Sequence, residues 1–327
     1  MRGLIIFSAL LLLISGACSK SPSIPNKEPV SDATPISKEY HPFNTVVTTD
    51  YINELIFQFA RSRTRGRAII PRGSDPFNYI PSEQDKEDIL KADLVFYNGL
   101  GLEPHFDDIM KKASKTARVI DLSQAVPKEK LIASKNYPKG YDPHYFKDPD
   151  IWVYVVKKVV DVLSEIDPQG MFNYGSIYLR YGEALSLHDL RYVKPWSDRL
   201  SPSTRYLITL HDSFQYFGKR YQFETHSLLS PGEEVVDENK LDQLALLIAE
   251  KKIPVIFYEE SYDTSQIKSL QQKLNEYGWE VRMAGPLYSY FMAPMSDPNF
   301  SYIAAGRHEI QLIYENLKTE DMADIPQ

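Results

Sequence analysis

The stretch Ala92-Asp93-Leu94-Val95-Phe96-Tyr97-Asn98-Gly99-Leu100-Gly101-Leu102-Glu103 decides the architecture of this chain. Residues 93–98 form an apolar run of strand length, with a helical pattern over 85–92 before it and another over 104–114 after it. A strand apolar on both faces and set between helices belongs to a parallel sheet covered on both sides. The same alternation continues outward. Strands are predicted over 43–48, 67–71 and 117–122, with a helix over 51–61.

The middle of the chain differs. From 151 to 166 the apolar residues recur at helical spacing until Asp167-Pro168 breaks the run. A second helix is predicted from about 171 to 190, extending as far as 199, although Gly170, Gly175 and Gly182 weaken its propensity. Alternation then resumes. Strands are predicted over 206–210, 254–258 and 279–284, with helices over 211–221, 239–251, 265–277 and 308–317. The pattern is an α/β lobe (43–147), a helical connector (148–200) and a second α/β lobe (201–327). Two such lobes favour ligand capture where loops converge at the strand ends.

Composition agrees. A chain of 327 residues can bury two cores, and 43% apolar with 25% charged residues is ordinary for a globular protein. The net charge of -7 excludes the concentrated basic face that nucleic-acid binding needs. Tyrosine is frequent, at 22 copies, which reads as a packing habit. Nothing demands an oligomer, and a monomer is expected.

The N-terminus carries a separate signal. Arg2 is followed by a nearly unbroken apolar run over 4–14, too short to span a bilayer, and then Ser15-Gly16-Ala17-Cys18. Residues 1–18 read as a signal peptide. Cys18 is the sole cysteine, so no intrachain disulfide is possible. The segment resembles a bacterial lipobox, in which the cysteine is lipidated. It departs from one by Ser15 where Leu is usual, with Ile14 one place early. The expectation is an exported protein, periplasmic or at the cell surface, held at a membrane by acyl chains on Cys18. Residues 19–42, rich in Ser, Pro and Lys, read as a disordered tether.

Among the four loops at strand ends or element junctions (73–79, 141–144, 210–214 and 285–290), two contain histidine. His144 follows the first lobe in Tyr141-Asp142-Pro143-His144, and His211 ends the first strand of the second lobe in Leu210-His211-Asp212. Both are expected to face the cleft from opposite sides, with Asp142 and Asp212 near enough to orient the rings. Neutral imidazole is a preferred ligand for Zn, Mn and Fe. Glu259-Glu260, at the end of the strand over 254–258, is either a hard-cation ligand pair or a solvated loop. Asp107-Asp108 and Glu233-Glu234 read as solvated faces. No nucleophile–base motif supports an enzyme.

These stretches resemble the metal-binding solute proteins of ABC importers, the zinc/manganese/iron lipoprotein family that includes the TroA-like group. The resemblance runs in unbroken order from about Val46 to Leu317. It rests on Asp75-Pro76, Pro81-Ser82, the stretch 92–103, Asp142-Pro143-His144, the run 211–217 and Leu287-Tyr288-Ser289. It implies two Rossmann-like lobes joined by a long rigid backbone helix, with a metal at their interface and an ABC permease as partner. His144 and His211 match two of the family's ligand positions. The other two hold Phe77 and Tyr290, where the family has His and Asp.

A transition-metal site ordinarily needs three or four protein ligands. Three readings follow. Substitute donors complete the shell: Asn78, Tyr290, Asp75, Glu259 or Glu260 through oxygen, or His105 through nitrogen. Alternatively, the cargo is a metal already held by a small chelator. Or the site is vestigial, on a paralogue turned to adhesion or another envelope task. The leading expectation is a non-enzymatic receptor that captures Zn, Mn or Fe and delivers it to an importer.

Overall fold

A computed structural model describes residues 42–294, 296–297 and 300–318. Cys18, the signal peptide and all but the last residue of the expected tether lie outside the described residues. The first sheet contains β1 (Phe43–Val47), β2 (Thr64–Ala68), β3 (Leu94–Tyr97) and β4 (Arg118–Asp121) in the order β2-β1-β3-β4, all parallel. Helices α1 (Asp50–Ala60), α2 (Glu83–Lys91) and α3 (Asp107–Ala113) connect them. In β3, Leu94, Val95 and Phe96 are wholly buried, as an apolar central strand requires.

The turn after β3 is built by its own residues. Glu103 reaches back to accept from the backbone of Asn98 at 2.9 Å and Gly99 at 3.3 Å, and from Thr48 Oγ1 at 2.6 Å. Gly99 has φ +84°, and a Cβ there would stand 1.9 Å from Asp121 Oδ1, so only glycine fits. Helix α2 starts with a reciprocal cap. Ser82 Oγ accepts from the Asp85 backbone while Asp85 accepts from the Ser82 backbone.

After β4 the chain forms α4 (Pro149–Ile166), with Pro149 at its first position and Asp148 capping Asp150 N. Next comes α5 (Met171–His188), then a π-helical turn over Asp189–Val193 and α6 (Lys194–Asp198), one continuous helical run. Pro195 has no N–H to return to the Arg191 carbonyl, which accounts for the widened turn just before it. The second sheet contains β5 (Tyr206–His211), β6 (Glu224–Leu229), β7 (Val255–Glu259) and β8 (Arg282–Leu287), ordered β6-β5-β7-β8 and parallel. It carries α7 (Gln215–Tyr221), α8 (Glu238–Lys251) and α9 (Ser265–Glu276), and α10 (Tyr302–Leu317) closes the chain.

Five details differ from the sequence reading, the first being that α7 starts at Gln215 and not at 211, because His211 is the last residue of β5. Strand β6 was not anticipated: Glu224, Thr225, His226 and Ser227 are polar because β6 is an edge strand, with only Leu228 and Leu229 buried. Strand β2 lies earlier than 67–71. Ile69 and Ile70 run on beyond it, buried and still bonded to Val47 O and Thr48 O. Strand β8 lies later than 279–284, because the Trp279 backbone N–H instead closes the turn after α9 by donating to Leu274 O at 3.1 Å, while its indole Nε1 donates to Ile253 O at 2.8 Å. Helix α10 begins before 308, capped by Ser301 Oγ. Gly306 within it permits close packing on α5, since a Cβ would meet His188 Nε2 at 2.8 Å.

The two sheets are not independently packed. Tyr290, Phe291, Met292, Phe300, Tyr302 and Ala305 follow β8 yet belong to the apolar core around the first sheet. The described residues accordingly form one compact unit. Among the described residues no helix is long and apolar enough to cross a membrane.

Helix α1 carries Glu54 into this core against α5, where Glu54 Oε2 accepts from Tyr181 at 2.8 Å and Oε1 has no partner. Burial, the largest influence, pushes the Glu54 carboxyl up from 4.5 to about 7. The folded state therefore holds its proton more tightly than the unfolded state. That contribution is complete below about pH 4.5 and is lost as pH rises through 7. The advantage of Glu54→Gln over the parent protein should grow by on the order of 2–3 kcal/mol between about pH 4.5 and about pH 8. Thermal or urea denaturation at the two pH values measures it.

Candidate functional site

In each sheet the strand order reverses between the first and third strands in sequence, and crevices at strand C-termini open at such points. His211 and Glu259 end the two strands flanking that point in the second sheet. The chain leaves β8 and reaches Tyr290 three residues later, while His144 comes from the segment after β4. His144, His211 and Tyr290 are each fully buried, and they meet. The Tyr290 hydroxyl lies 3.2 Å from His144 Nε2, and 3.1 and 3.3 Å from the two ring nitrogens of His211. The imidazole centroids are 5.4 Å apart.

Asp142 orients His144. Its Oδ1 accepts from the His144 backbone at 2.8 Å and from Nδ1 at 2.7 Å. A proton on Nδ1 leaves the Nε2 lone pair facing Tyr290. The loop itself is clamped from both halves of the chain. Asn98 Nδ2 donates to Pro143 O at 3.0 Å, and Tyr216 of α7 donates to Asp142 O at 2.9 Å. His211 is held differently. Its backbone N–H and that of Leu210 donate to the two oxygens of Glu259, and its ring stacks on Tyr262 at 4.8 Å and 14°. Burial chiefly, then the nearby His144 and Lys240, depresses the basicity of His211 well below the ordinary imidazole range. It is thus the neutral ring that a metal requires.

The other predicted residues divide. Asp75 lies at the rim, with its Oδ1 accepting from Phe77 N at 2.9 Å. Phe77 packs as a wall, its ring centroid 6.0 to 6.5 Å from those of His144, His211 and Tyr290. Asn78 is exposed beside Asp75. Glu259 directs both oxygens to backbone amides, and burial lifts its carboxyl to about 8. Glu260 is exposed and pairs with Arg72 at 2.6 Å, and His105 is exposed in the turn before α3. Asp212, expected to orient His211, instead accepts from Gln215 at 2.6 Å. Among the described residues, no three His, Cys, Asp or Glu side chains converge as a metal cluster.

Tyr137, Tyr216 and Tyr262 complete the pocket, and sequence reasoning gave them no role. Tyr262 alone had a usable signal, lying just past the end of β7. Tyr137 donates to Asp212 O from a long irregular segment.

Behind the site, Lys147 is buried between the halves. Its Nζ contacts Glu309 Oε1 at 2.6 Å, Tyr51 OH at 2.9 Å and the Tyr288 carbonyl. Burial, the largest influence, lowers its pKa. The pair ties α10 to the segments carrying His144 and Tyr290.

The geometry is a two-sheet body in which His144, His211 and Tyr290 meet between the sheets. The profile of the periplasmic zinc-uptake complex component A family matches residues 45–316, and this chain belongs to that family. Such proteins are the non-enzymatic, metal-binding components of ABC importers. The chain is 29% identical over 277 residues to the manganese-binding lipoprotein MntA of Bacillus subtilis, covering 83% of this chain and 88% of that protein. It is 27% identical over 290 residues to the zinc-binding protein TroA of Treponema pallidum, covering 88% and 90% respectively. The solved structure of the periplasmic zinc-binding TroA from that organism superposes with a TM-score of 0.81 over 85% of this chain and 100% of that one.

Removing one partner of a buried ion pair strands the other. Glu309→Ala should cost about 3–5 kcal/mol in urea denaturation, and the joint change Lys147→Met with Glu309→Leu should recover most of that loss.

Proposed function

We propose that this protein captures a single transition metal ion (Zn, Mn or Fe) between its sheets through His144, His211 and Tyr290, and hands it to the permease of an ABC importer. The position of the Tyr290 hydroxyl, within hydrogen-bond distance of both imidazoles, carries this reading. Two imidazoles alone would bind weakly, and a phenolic oxygen at their focus supplies the third donor. In this reading Tyr290 and Phe77 replace donors common in the family. Phe77 contributes none and instead dries one wall of the site.

The ring centroids around the focus lie 5.4 to 6.5 Å apart, a spacing that suits a bare ion better than a metal–chelator complex. The predicted lipidation of Cys18, with residues 19–42 as tether and a lobe–connector–lobe body over 43–147, 148–200 and 201–327, would hold a monomeric receptor beside its permease. Lipoproteins among its relatives support that anchorage.

Calorimetric titration of residues 41–327 with Zn(II), Mn(II) and Fe(II) tests the reading. One-to-one binding is expected for at least one ion, and it should disappear in the His144→Ala/His211→Ala double variant. Absence of binding by every ion, or binding that survives in the double variant, refutes it and favours the vestigial, envelope-interaction alternative.

A further inference from the structure

The strand N-termini of the first sheet form one end of the body. There Phe43 pairs with Thr64 and Leu94 with Arg118. Helix α4 also ends there, since Asp167 binds Arg63 and Glu165 binds Arg118. The His144 loop lies at the opposite end of the sheet, held by Asn98 just past β3. Residues 1–41 join the body at the first of these ends, through Pro42 and Phe43.

This end gathers arginine. Positions 61, 63, 65 and 67 are all Arg in a chain of net charge -7. Arg63 pairs with Asp167, and Arg67 with Asp85 and Asp88. Arg61 is exposed, lying over the Phe57 ring at 4.4 Å, and Arg65 is exposed with no acidic partner among the described residues. The acids nearby are each engaged: Asp93 by the Asn44 amide, Glu87 by Lys91, Glu165 by Arg118 and Asp167 by Arg63. Apolar side chains stand out beside these cations. At the start of α5, Phe172 is 86% exposed and Met171 57%, within a turn of Asp167, whose carbonyl accepts from Gly170 N at 3.0 Å. No side chain caps α5 and no acid stands in its first turn, so its first amides add a further positive field.

Exposed Phe and Met beside uncompensated Arg is the composition of an interfacial membrane contact. The cations are drawn to anionic headgroups, and the apolar side chains sink to the boundary with the acyl chains. The chain leading back to the expected anchor at Cys18 leaves from this same end, which brings a bilayer within its reach. We propose that this end of the body, through Arg61, Arg65, Met171 and Phe172, docks on the surface of a bilayer that carries anionic headgroups. This rests on the anchorage reading above and is independent of the metal ligands. Docked in this way, the body turns the His144 end of the first sheet away from the bilayer. Capture then faces the surroundings, and hand-over to a permease requires release from the surface.

Sedimentation of residues 41–327 with vesicles tests the proposal. That body lacks Cys18, so any binding belongs to the folded surface. Binding is expected to vesicles of phosphatidylglycerol with phosphatidylcholine at low salt, and not to phosphatidylcholine alone. It should vanish at about 0.5 M salt, where screening shortens the Debye length to a few ångströms. One arginine near such a surface contributes about fivefold in affinity, so Arg61→Gln/Arg65→Gln should weaken binding about 25-fold. Phe172→Ser should weaken it about tenfold. Phe172→Trp should still bind, with its emission shifted to the blue by anionic vesicles only. Lys219→Gln, on α7 beside the second sheet, should change nothing, and unaltered urea denaturation in each variant separates loss of contact from loss of fold. Equal binding to both kinds of vesicle, no binding at low salt, or binding that survives the arginine and Phe172→Ser changes overturns the proposal. Binding confined to vesicles that also carry the permease assigns the surface to that protein and overturns it too.

Discussion

The hydroxyl of Tyr290, held between two buried imidazoles, sets the terms for the rest of the molecule. His144, His211 and Tyr290 are distant in sequence and fully buried, so each polar ring atom must find its partner inside the protein. Meeting that condition fixes three loops at once. Asp142 and Asn98 clamp the first, Glu259 clamps the end of β5, and Tyr51 with Lys147 engages the carbonyl of Tyr288 just before the third. A buried carboxylate such as Glu259 is costly unless hydrogen-bonded. Its two backbone partners explain why it serves the scaffold.

The same condition explains why the two sheets form one body. Residues 290–292 turn back into the core of the first sheet, and α10 follows them with Tyr302 against Trp152 at 5.7 Å. The buried Lys147–Glu309 pair lies at this junction, three residues from His144. A buried ion pair adds little net stability over an apolar substitute, but it penalises any arrangement that separates its partners. Here that penalty falls on displacement of α10 from the segment that carries His144.

Tyrosine does much of this work. Tyr145 donates to Asn98 O, Tyr216 to Asp142 O, Tyr137 to Asp212 O and Tyr181 to Glu54. Each ring fills core volume while its hydroxyl satisfies a carbonyl or carboxylate that would otherwise be stranded. The abundance of tyrosine is thus a packing habit, as composition suggested, and also the means by which loops around the site are pinned. At Tyr262 and Tyr290 the same hydroxyls face one another and the imidazoles.

By itself the sequence determined the parallel βα alternation, the helical stretch between the two sheets and the position of His211 at the end of β5. Those features are written in local periodicity and in residues adjacent along the chain. Edge strand β6 escaped notice because one side of an edge strand faces solvent, so Glu224 to Ser227 carry no apolar run. Only the tertiary structure decided which side chains meet. Glu259 turned to the backbone, Glu260 to Arg72 and His105 to solvent, while Tyr262 came to lie beside His211 and Tyr290. The direction of a side chain at a strand end is set by what packs against it from distant elements, and no local pattern records those contacts.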